Sequence, residues 1–423
     1  MERIAEELKN LQEKQQLRHI PNVDSKSDGK IVVDGVEYVN FASNDYLGIS
    51  TKSQLRKEFL KLYDLPLSSA SARLLTGSSP EYTELENTVA NIFGKEAALI
   101  FNTGYQANLG VVSALIEKGD VVFSDKLNHA SIIDGMQLSK GKLGGDFYRY
   151  KHFDYDNLES LLKNHRDKYK RALIISESVF SMDGDVADID RLIELKNKYN
   201  CLLMIDEAHA FYAYGNSVAG LSKGKDVDII TATFGKAIGS FGAFCVSNSD
   251  IISYLVNKAR SFIFSTSIPP INIAWSNWLF TEKSEYLKSQ KEKLEKLTNS
   301  VHSLMQSRGI QTPSVTHIIP IVIGDNDKTV KISEKLRSLG YYIPAIRPPT
   351  VPVGTSRLRI SLTADCKVED FEIVLDAVLS WFFVLFKQEF FSCCVVANSK
   401  NAGSCNPSDW TCVEYTIITY NFC

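Results

Sequence analysis

The chain has 423 residues, 44 % hydrophobic and 23 % charged, an ordinary globular balance with length enough for two or three domains and a large core. Its 47 basic and 50 acidic side chains leave a net charge of −3, and no long basic block or aromatic-spaced basic stripe suggests nucleic acid. Small-molecule chemistry is the expected role, with no nucleic-acid partner.

In chain order, residues 1–22, MERIAEELKNLQEKQQLRHIPN, carry a charged helical pattern without the apolar centre of a secretory signal, so the body is expected in the cytoplasm. They open an N-terminal helix and arm, 1–40. From about residue 95 to 247, short β-rich apolar runs alternate with helical patterns, the signature of parallel βαβ architecture. The runs are 97–101, 121–124, 172–176, 201–205, 228–233 and 243–246. Between two of them, DIDRLIELKNKYN (188–200) sets Ile189, Leu192, Ile193 and Leu195 near one face behind an Asp cap, which predicts a crossover helix.

After Pro269-Pro270 the pattern becomes a long polar helix, roughly 271–308, then IIPIVIG, the helix TVKISEKLRSLG and short strands around 342–346 and 358–362. The predicted fold is therefore α/β. A large domain, 41–270, has a mostly parallel central sheet flanked by helices, and a smaller α+β C-terminal domain spans 271–381. Residues 382–423 have few charges, several aromatics and most of the cysteines, and read as an atypical tail. No apolar run reaches the roughly 20 residues of a bilayer span, and AVLSWFFVLF (377–386) reads as a core or partly exposed helix. Cys201 and Cys245 sit in apolar runs as buried thiols, while Cys393, Cys394, Cys405, Cys412 and Cys423 lack paired C-x-x-C spacing and a nearby His, so no metal site is expected.

In open α/β sheets ligands gather at the carboxyl ends of the strands. There the sequence places Asn102-Thr103-Gly104-Tyr105, Asp125 to His129, Glu177 to Asp183, Asp206 to His209 and Thr233 to Lys236. This is the set that pyridoxal phosphate (PLP) asks for: an amine, an anion for the pyridine nitrogen, phosphate donors and a flat group against the ring. A lone lysine is ordinarily solvated; Lys236 is singled out by its strand-end position within TFGKAIGSFGA, where desolvation lowers an amine's pKa. Asp206 ends the apolar run CLLMID and suits the pyridinium, with His209 three residues on in reach of the phenolic oxygen. The amides of Gly104 and Tyr105 lie at a helix N-terminus, a natural phosphate seat. His129 has the flat ring that could stack on the pyridine, although a lone His is more often structural.

Several ordered blocks are similar to the α-oxoamine synthase family of fold-type I PLP enzymes: FASNDYLG (41–48), SARLLTGSSPEYTELE (71–86), FNTGYQAN (101–108), DKLNHASIIDG (125–135), ESVFSMDGD (177–185), IDEAHA (205–210), TFGKAIGSFGA (233–243), FSTSIPP (264–270) and IRPPTVPVGTSRLRISLTA (346–364). The resemblance covers about residues 1 to 380. It implies that Lys236 forms the Schiff base and then removes the amino acid's α-proton, that Asp206 pairs the pyridine nitrogen and His209 the phenolic oxygen, and that His129 stacks on the ring. It implies a phosphate site of Gly104, Tyr105 and Thr233, completed by Ser265 or Thr266 of a neighbouring subunit in a homodimer, with Ser181 beside the cofactor. Arg359 is implied as the fork for the amino-acid carboxylate, with Arg357 expected on the surface. Asn44, Thr350 and Arg18 match positions that contact substrate or product.

The SNDYLG, FSTSIPP and RPPTVPVGTSRLR wording implies condensation of L-alanine with a pimeloyl thioester, its carrier either coenzyme A or an acyl carrier protein. Siblings that use glycine or serine, or a silent subunit, are the alternatives. Two departures stand out. LSSASARLLTG carries Ser and Ala where relatives often have glycine, and the chain continues about 40 residues past the usual end, which reads as a frame-altered or read-through end in preference to a lineage-specific extension.

Overall fold

The computed structural model describes residues 2–381, so the expected tail, 382–423, lies outside the described residues. After the helix Glu2–Glu13, the expected arm is a three-stranded antiparallel sheet of β1 (Val23–Ser27), β2 (Lys30–Val33) and β3 (Val36–Asn40). Its two turns are Asp28-Gly29 and Asp34-Gly35, all four residues at positive φ. That is the backbone a two-residue hairpin turn requires and Asp-Gly supplies at least cost.

The central sheet comprises β4 (Ala97–Phe101), β5 (Asp120–Asp125), β6 (Asp146–Tyr150), β7 (Arg171–Glu177), β8 (Leu202–Asp206), β9 (Ile229–Thr233) and β10 (Ala243–Ser247), in the order β4-β10-β9-β8-β7-β5-β6. Pairs among β5 to β9 are parallel, while β10 runs antiparallel to both β9 and β4. The link from Thr233 to Ala243 is too short for a crossover helix, so the chain must turn back beside the strand it left. Every other strand then points its carboxyl end to one edge.

Alternation divides the apolar residues between the two faces. Ala172 and Ile174 of β7 join Leu203 and Ile205 of β8 in one core, whereas Leu173, Ile175 and Met204 fill the other. The predicted crossover helix runs Ile189–Lys198, with the Asp188 carboxylate accepting from the Arg191 amide at 3.0 Å. Both Cys201 and Cys245 are buried free thiols.

The long helix expected beyond Pro269 is two helices, Pro270–Thr281 and Ser284–Ser307. The first buries residues on nearly every side, including Ile273, Ser276 and Trp278, whereas the second buries a single stripe through Leu287, Leu294 and Val301. The break falls at Lys283, whose φ of −119° and ψ of 19° leave the helical region. The last strands are β11 (Ile318–Gly324), β12 (Tyr341–Tyr342), β13 (Ala345–Ile346) and β14 (Ser356–Ser361); β14 lies between β11 and β13, and β12 pairs parallel with β3.

In LSSASARLLTG, Ala70 adopts φ of 49°, a left-handed backbone that favours glycine. Ala70→Gly is expected to stabilise the protein by about 1 kcal/mol in urea unfolding. A loss of stability would show that the left-handed alanine carries no strain.

Candidate active site

β7 and β8 are paired in a register that sets Glu177 beside Asp206, so two carboxyl groups end adjacent strands at the common edge. Both are buried. Burial, followed by the Asp206 charge, pushes the Glu177 carboxyl well above its ordinary range, so it is the neutral member. Asp206 accepts from the Asn108 side chain at 2.7 Å and from the Ala208 amide at 2.9 Å. Thr231 in turn donates to the Asn108 oxygen at 2.8 Å, which orients the amide. Sequence reasoning missed Asn108, although a buried Asn inside the apolar helix Gly104–Leu115 was a readable signal.

Beyond β8 the chain turns sharply around Glu207, whose buried carboxylate accepts from Ser178 Oγ at 2.6 Å and from the Ser222 amide at 2.7 Å. This turn aims His209 back at the edge. Lys236 arrives from β9 through a loop tied by Gly239 N to Lys236 O and Phe234 N to Gly242 O, each 2.9 Å. At Gly242 a Cβ would sit 2.7 Å from Ile268 Cδ1, so the loop closes only on glycine.

Lys236 Nζ lies 2.7 Å from His209 Nε2, and His209 Nδ1 lies 2.6 Å from the Tyr46 hydroxyl. Burial holds His209 well below its ordinary pKa, helped by the Lys236 and Arg359 charges, so the imidazole is neutral. The tautomer follows from the partners: Nε2 accepts from Lys236 and Nδ1 donates to Tyr46, whose hydroxyl donates to Asn44 Oδ1 at 3.1 Å. Desolvation lowers the Lys236 amine to about 8, against the opposing pull of Asp206.

Arg357 and Arg359 both come from β14 and are both buried. The expectation of a surface Arg357 is therefore corrected: residues two apart share a strand face, and Arg357 forms an ion pair with Asp183 there. Arg359 donates from Nε to the Ser181 carbonyl, and from Nη1 to Ser361 Oγ at 2.7 Å and Asn44 Oδ1 at 3.2 Å. Its Nη2 reaches the Tyr46 hydroxyl at 3.4 Å, which joins it to the chain ending at Lys236. Tyr46 and Ser361 were not singled out from sequence, nor was His317, whose ring meets Tyr46 at 4.0 Å between centroids. Burial, then Arg359 and Lys236, holds His317 down to about 3, and neither of its ring nitrogens has a hydrogen-bond partner among the described residues.

At the start of the helix Gly104–Leu115, Thr103 Oγ1 accepts from the Gln106 amide at 3.1 Å. The amides of Gly104 and Tyr105 remain for an anion. The Cβ that Gly104 lacks would find only Thr233 Cβ, at 3.8 Å, so Thr233 flanks an open cradle. Ser265 and Thr266 adjoin the same cradle from their own chain, where Gln106 donates to Ser265 Oγ at 3.2 Å and Asn102 to the Thr266 carbonyl at 2.6 Å. His129 caps the next helix; its amide donates to Glu177 at 2.6 Å and its Nδ1 lies 2.7 Å from Ser131 Oγ. Arg18 and Thr350 meet each other at the surface, 2.9 Å apart, rather than joining the Lys236 chain.

The arrangement offers an amine of lowered basicity, a fixed carboxylate, an anion cradle and a guanidinium within one edge of the fold. Those are the groups that PLP and an amino-acid carboxylate need, and the open side of Gly104 leaves room for a phosphate. Only a neutral amine adds to an aldehyde, so capture of an aldehyde by the ligand-free protein should rise with pH and level off above about 8. A stopped-flow absorbance series reads this directly, and a midpoint near an ordinary lysine's pKa would show that Lys236 is not desolvated.

The model of the aminotransferase class I and II family matches residues 36–378. An 8-amino-7-oxononanoate synthase of Chlorobaculum parvum is 40 % identical over 390 residues, 90 % of this chain and 98 % of the relative. A Glaesserella parasuis protein given that name provisionally is 43 % identical over 379 residues, 88 % of this chain and 98 % of its own. Among solved structures, serine palmitoyltransferase from S. paucimobilis with a bound PLP–myriocin adduct is similar with a TM-score of 0.78 and 25 % identity, covering 89 % of this chain and 96 % of that one. The chain belongs to the aminotransferase class I and II family, and within it to the α-oxoamine synthases.

Proposed function

We propose that this protein condenses L-alanine with a pimeloyl thioester to give 8-amino-7-oxononanoate, CO2 and the free carrier thiol, a step of biotin biosynthesis. The observation that carries the reading is the Lys236–His209 contact of 2.7 Å at a buried carboxylate edge, in a chain 40 % identical to a synthase of that name.

In this reading the amides of Gly104 and Tyr105, with Thr233, would hold the phosphate of PLP, and Asp206 would pair with its ring nitrogen. His209 would serve its phenolic oxygen, His129 its ring face and Ser181 its flank, with Lys236 as the attachment point. When bound, PLP supplies an electron sink for the amino acid's α-carbon. Arg359 takes the alanine carboxylate, steadied by Ser181, Ser361 and Asn44, which keeps the substrate from rotating. Lys236, as a neutral amine of lowered pKa, would accept the α-proton. The new bond joins that α-carbon to the thioester carbonyl carbon as the carbon–sulfur bond breaks; the sulfur leaves as the protonated thiol, the bond to the alanine carboxyl carbon then breaks to release CO2, and a proton takes its place on the α-carbon. Arg18 and Thr350, paired near the surface, are assigned to the substrate or product side of the entrance.

We assign a homodimer, because Leu67, Leu75 and Phe264 expose 79 %, 79 % and 70 % of their surface next to the segment that holds Ser265 and Thr266. Within that dimer Thr266 completes the phosphate site of the partner. No described helix is long and apolar enough to cross a membrane. We assign the reaction to the cytoplasm, where free thiols such as Cys201, Cys245 and Cys366 persist.

A panel of amino acids and acyl thioesters, read by thiol release, tests the reading. L-alanine with pimeloyl-CoA or pimeloyl acyl carrier protein should turn over fastest, and turnover with glycine and an acetyl thioester alone would overturn it in favour of a sibling. Arg359→Lys should raise the KM for L-alanine at least about tenfold while sparing the thioester KM, since a point charge replaces a two-pronged fork. An unchanged alanine KM would remove Arg359 from the carboxylate site.

A further inference from the structure

His152 lies outside the group that reaches Lys236, yet it bridges the two segments that flank it. Its Nδ1 is 3.0 Å from Asp125 Oδ1 at the end of β5, and its Nε2 is 2.9 Å from Asp185 Oδ2 in the loop after β7. Both partners are carboxylates, which only accept, so both ring nitrogens must donate and the ring is an imidazolium. Burial works against that charge, but the hydrogen bonds and charges of Asp125 and Asp185 outweigh it and raise the ring to about 9. Phe153 stacks on the imidazole at 3.9 Å and Phe180 meets it edge-on at 4.5 Å, which shields the pair from water.

Each carboxylate leads to a functional segment. Asp125 also accepts from the Leu127 amide at 2.8 Å and the Phe153 amide at 3.3 Å, fixing the turn that ends at His129. Asp185 belongs to a tight loop closed by Gly184 N to Phe180 O, 2.9 Å, and Phe180 N to Asp185 O, 3.1 Å. That loop presents the Ser181 carbonyl to Arg359 and the Asp183 carboxylate to Arg357. Thr316 holds its other side, donating to the Gly184 carbonyl at 2.9 Å. The second oxygen of Asp185 is buried without a partner among the described residues, and among them His152 is the side chain that fixes this carboxylate.

We propose that protonated His152 is a positioning residue that latches the Asp125–His129 turn to the 178–186 loop, and so sets the spacing between His129 and the Ser181–Arg359 contact that receives the amino acid. The latch rests on the function proposed above, since it acts on that amino-acid site. Its sensitivity to pH follows from geometry: a neutral imidazole donates to one carboxylate and turns a lone pair on the other. Among the described residues, the ionisable groups that face the two carboxylates are Tyr150 of β6, Tyr155 of the helix Tyr155–His165 with Asp188 beyond it, and Glu177 of β7, which burial first and then neighbouring charges including Asp125 push toward its neutral form. Burial pushes both phenols up, Tyr155 to about 12, so they stay neutral across the range in which His152 changes charge. Because the folded pKa is raised, the latch's stabilisation is complete below the ordinary histidine value of 6.5 and is lost as pH rises through about 9.

The test compares wild-type holoenzyme with His152→Asn and Asp185→Asn, reading L-alanine affinity by absorbance titration without thioester, steady-state KM values and thermal unfolding. His152→Asn can donate to one carboxylate only, so L-alanine affinity and KM should worsen about tenfold, the loss of one charge-assisted contact, with the thioester KM within about twofold. Asp185→Asn should weaken L-alanine less than His152→Asn, because an amide oxygen can still accept. The difference in melting temperature between wild type and His152→Asn should be large at about pH 7 and close by about pH 10. Unchanged L-alanine affinity with lowered melting temperature would overturn the proposal and leave a structural clasp, as would a melting difference independent of pH. Should wild type bind L-alanine yet fail to condense it with any thioester, the function falls while the affinity comparison still judges the latch.

Discussion

The site depends on one electrostatic constraint: an amine and two carboxyl groups taken out of water at the same edge of a mostly parallel sheet. Parallel pairing delivers Glu177 and Asp206 side by side, and the loop after β9 brings Lys236 to them. Three ionised groups there would be costly, and the structure resolves the problem by sharing it. Glu177 is pushed toward its neutral form, Asp206 accepts hydrogen bonds from Asn108 and the Ala208 amide, and the Lys236 amine is lowered to about 8. An amine so poised exchanges between charged and neutral forms near physiological pH, which is what imine chemistry and proton abstraction both require.

The same constraint explains the polar chain behind Lys236. A charged histidine beside that amine would add to the repulsion, and burial keeps His209 neutral. Neutral His209 can then accept from Lys236 and donate to Tyr46, which passes the bond to Asn44 while Arg359 closes on both. The guanidinium end of the site and the amine end are thereby parts of one hydrogen-bonded unit, so a change at Arg359 is felt at Lys236. His152 works at a distance from this unit, on the spacing of the segments around it.

Much of this was legible in the sequence because it follows from local rules. Apolar runs ending in polar clusters marked the strand ends and so the residues to inspect, Asp188 marked a helix start, and the glycines around Lys236 marked a loop that must pack closely. The orientation of β10 and the break between Thr281 and Ser284 were not, since apolar periodicity reports burial and not direction or axis. Arg357 was misjudged because a strand's alternation says which residues share a face, and only the tertiary partner Asp183 says that the face is buried. Asn108, Tyr46 and His317 were missed for a related reason. Their roles depend on neighbours 98, 163 and more residues away, as the Asn108–Asp206 and Tyr46–His209 bonds make plain.

The central claim is that Lys236 is the amine that carries the cofactor. Borohydride reduction of the holoenzyme, followed by peptide mapping, tests it most directly. A pyridoxyl group is expected on Lys236 within TFGKAIGSFGA, and its loss in Lys236→Ala. A label on another lysine, or one retained after that substitution, would contradict it.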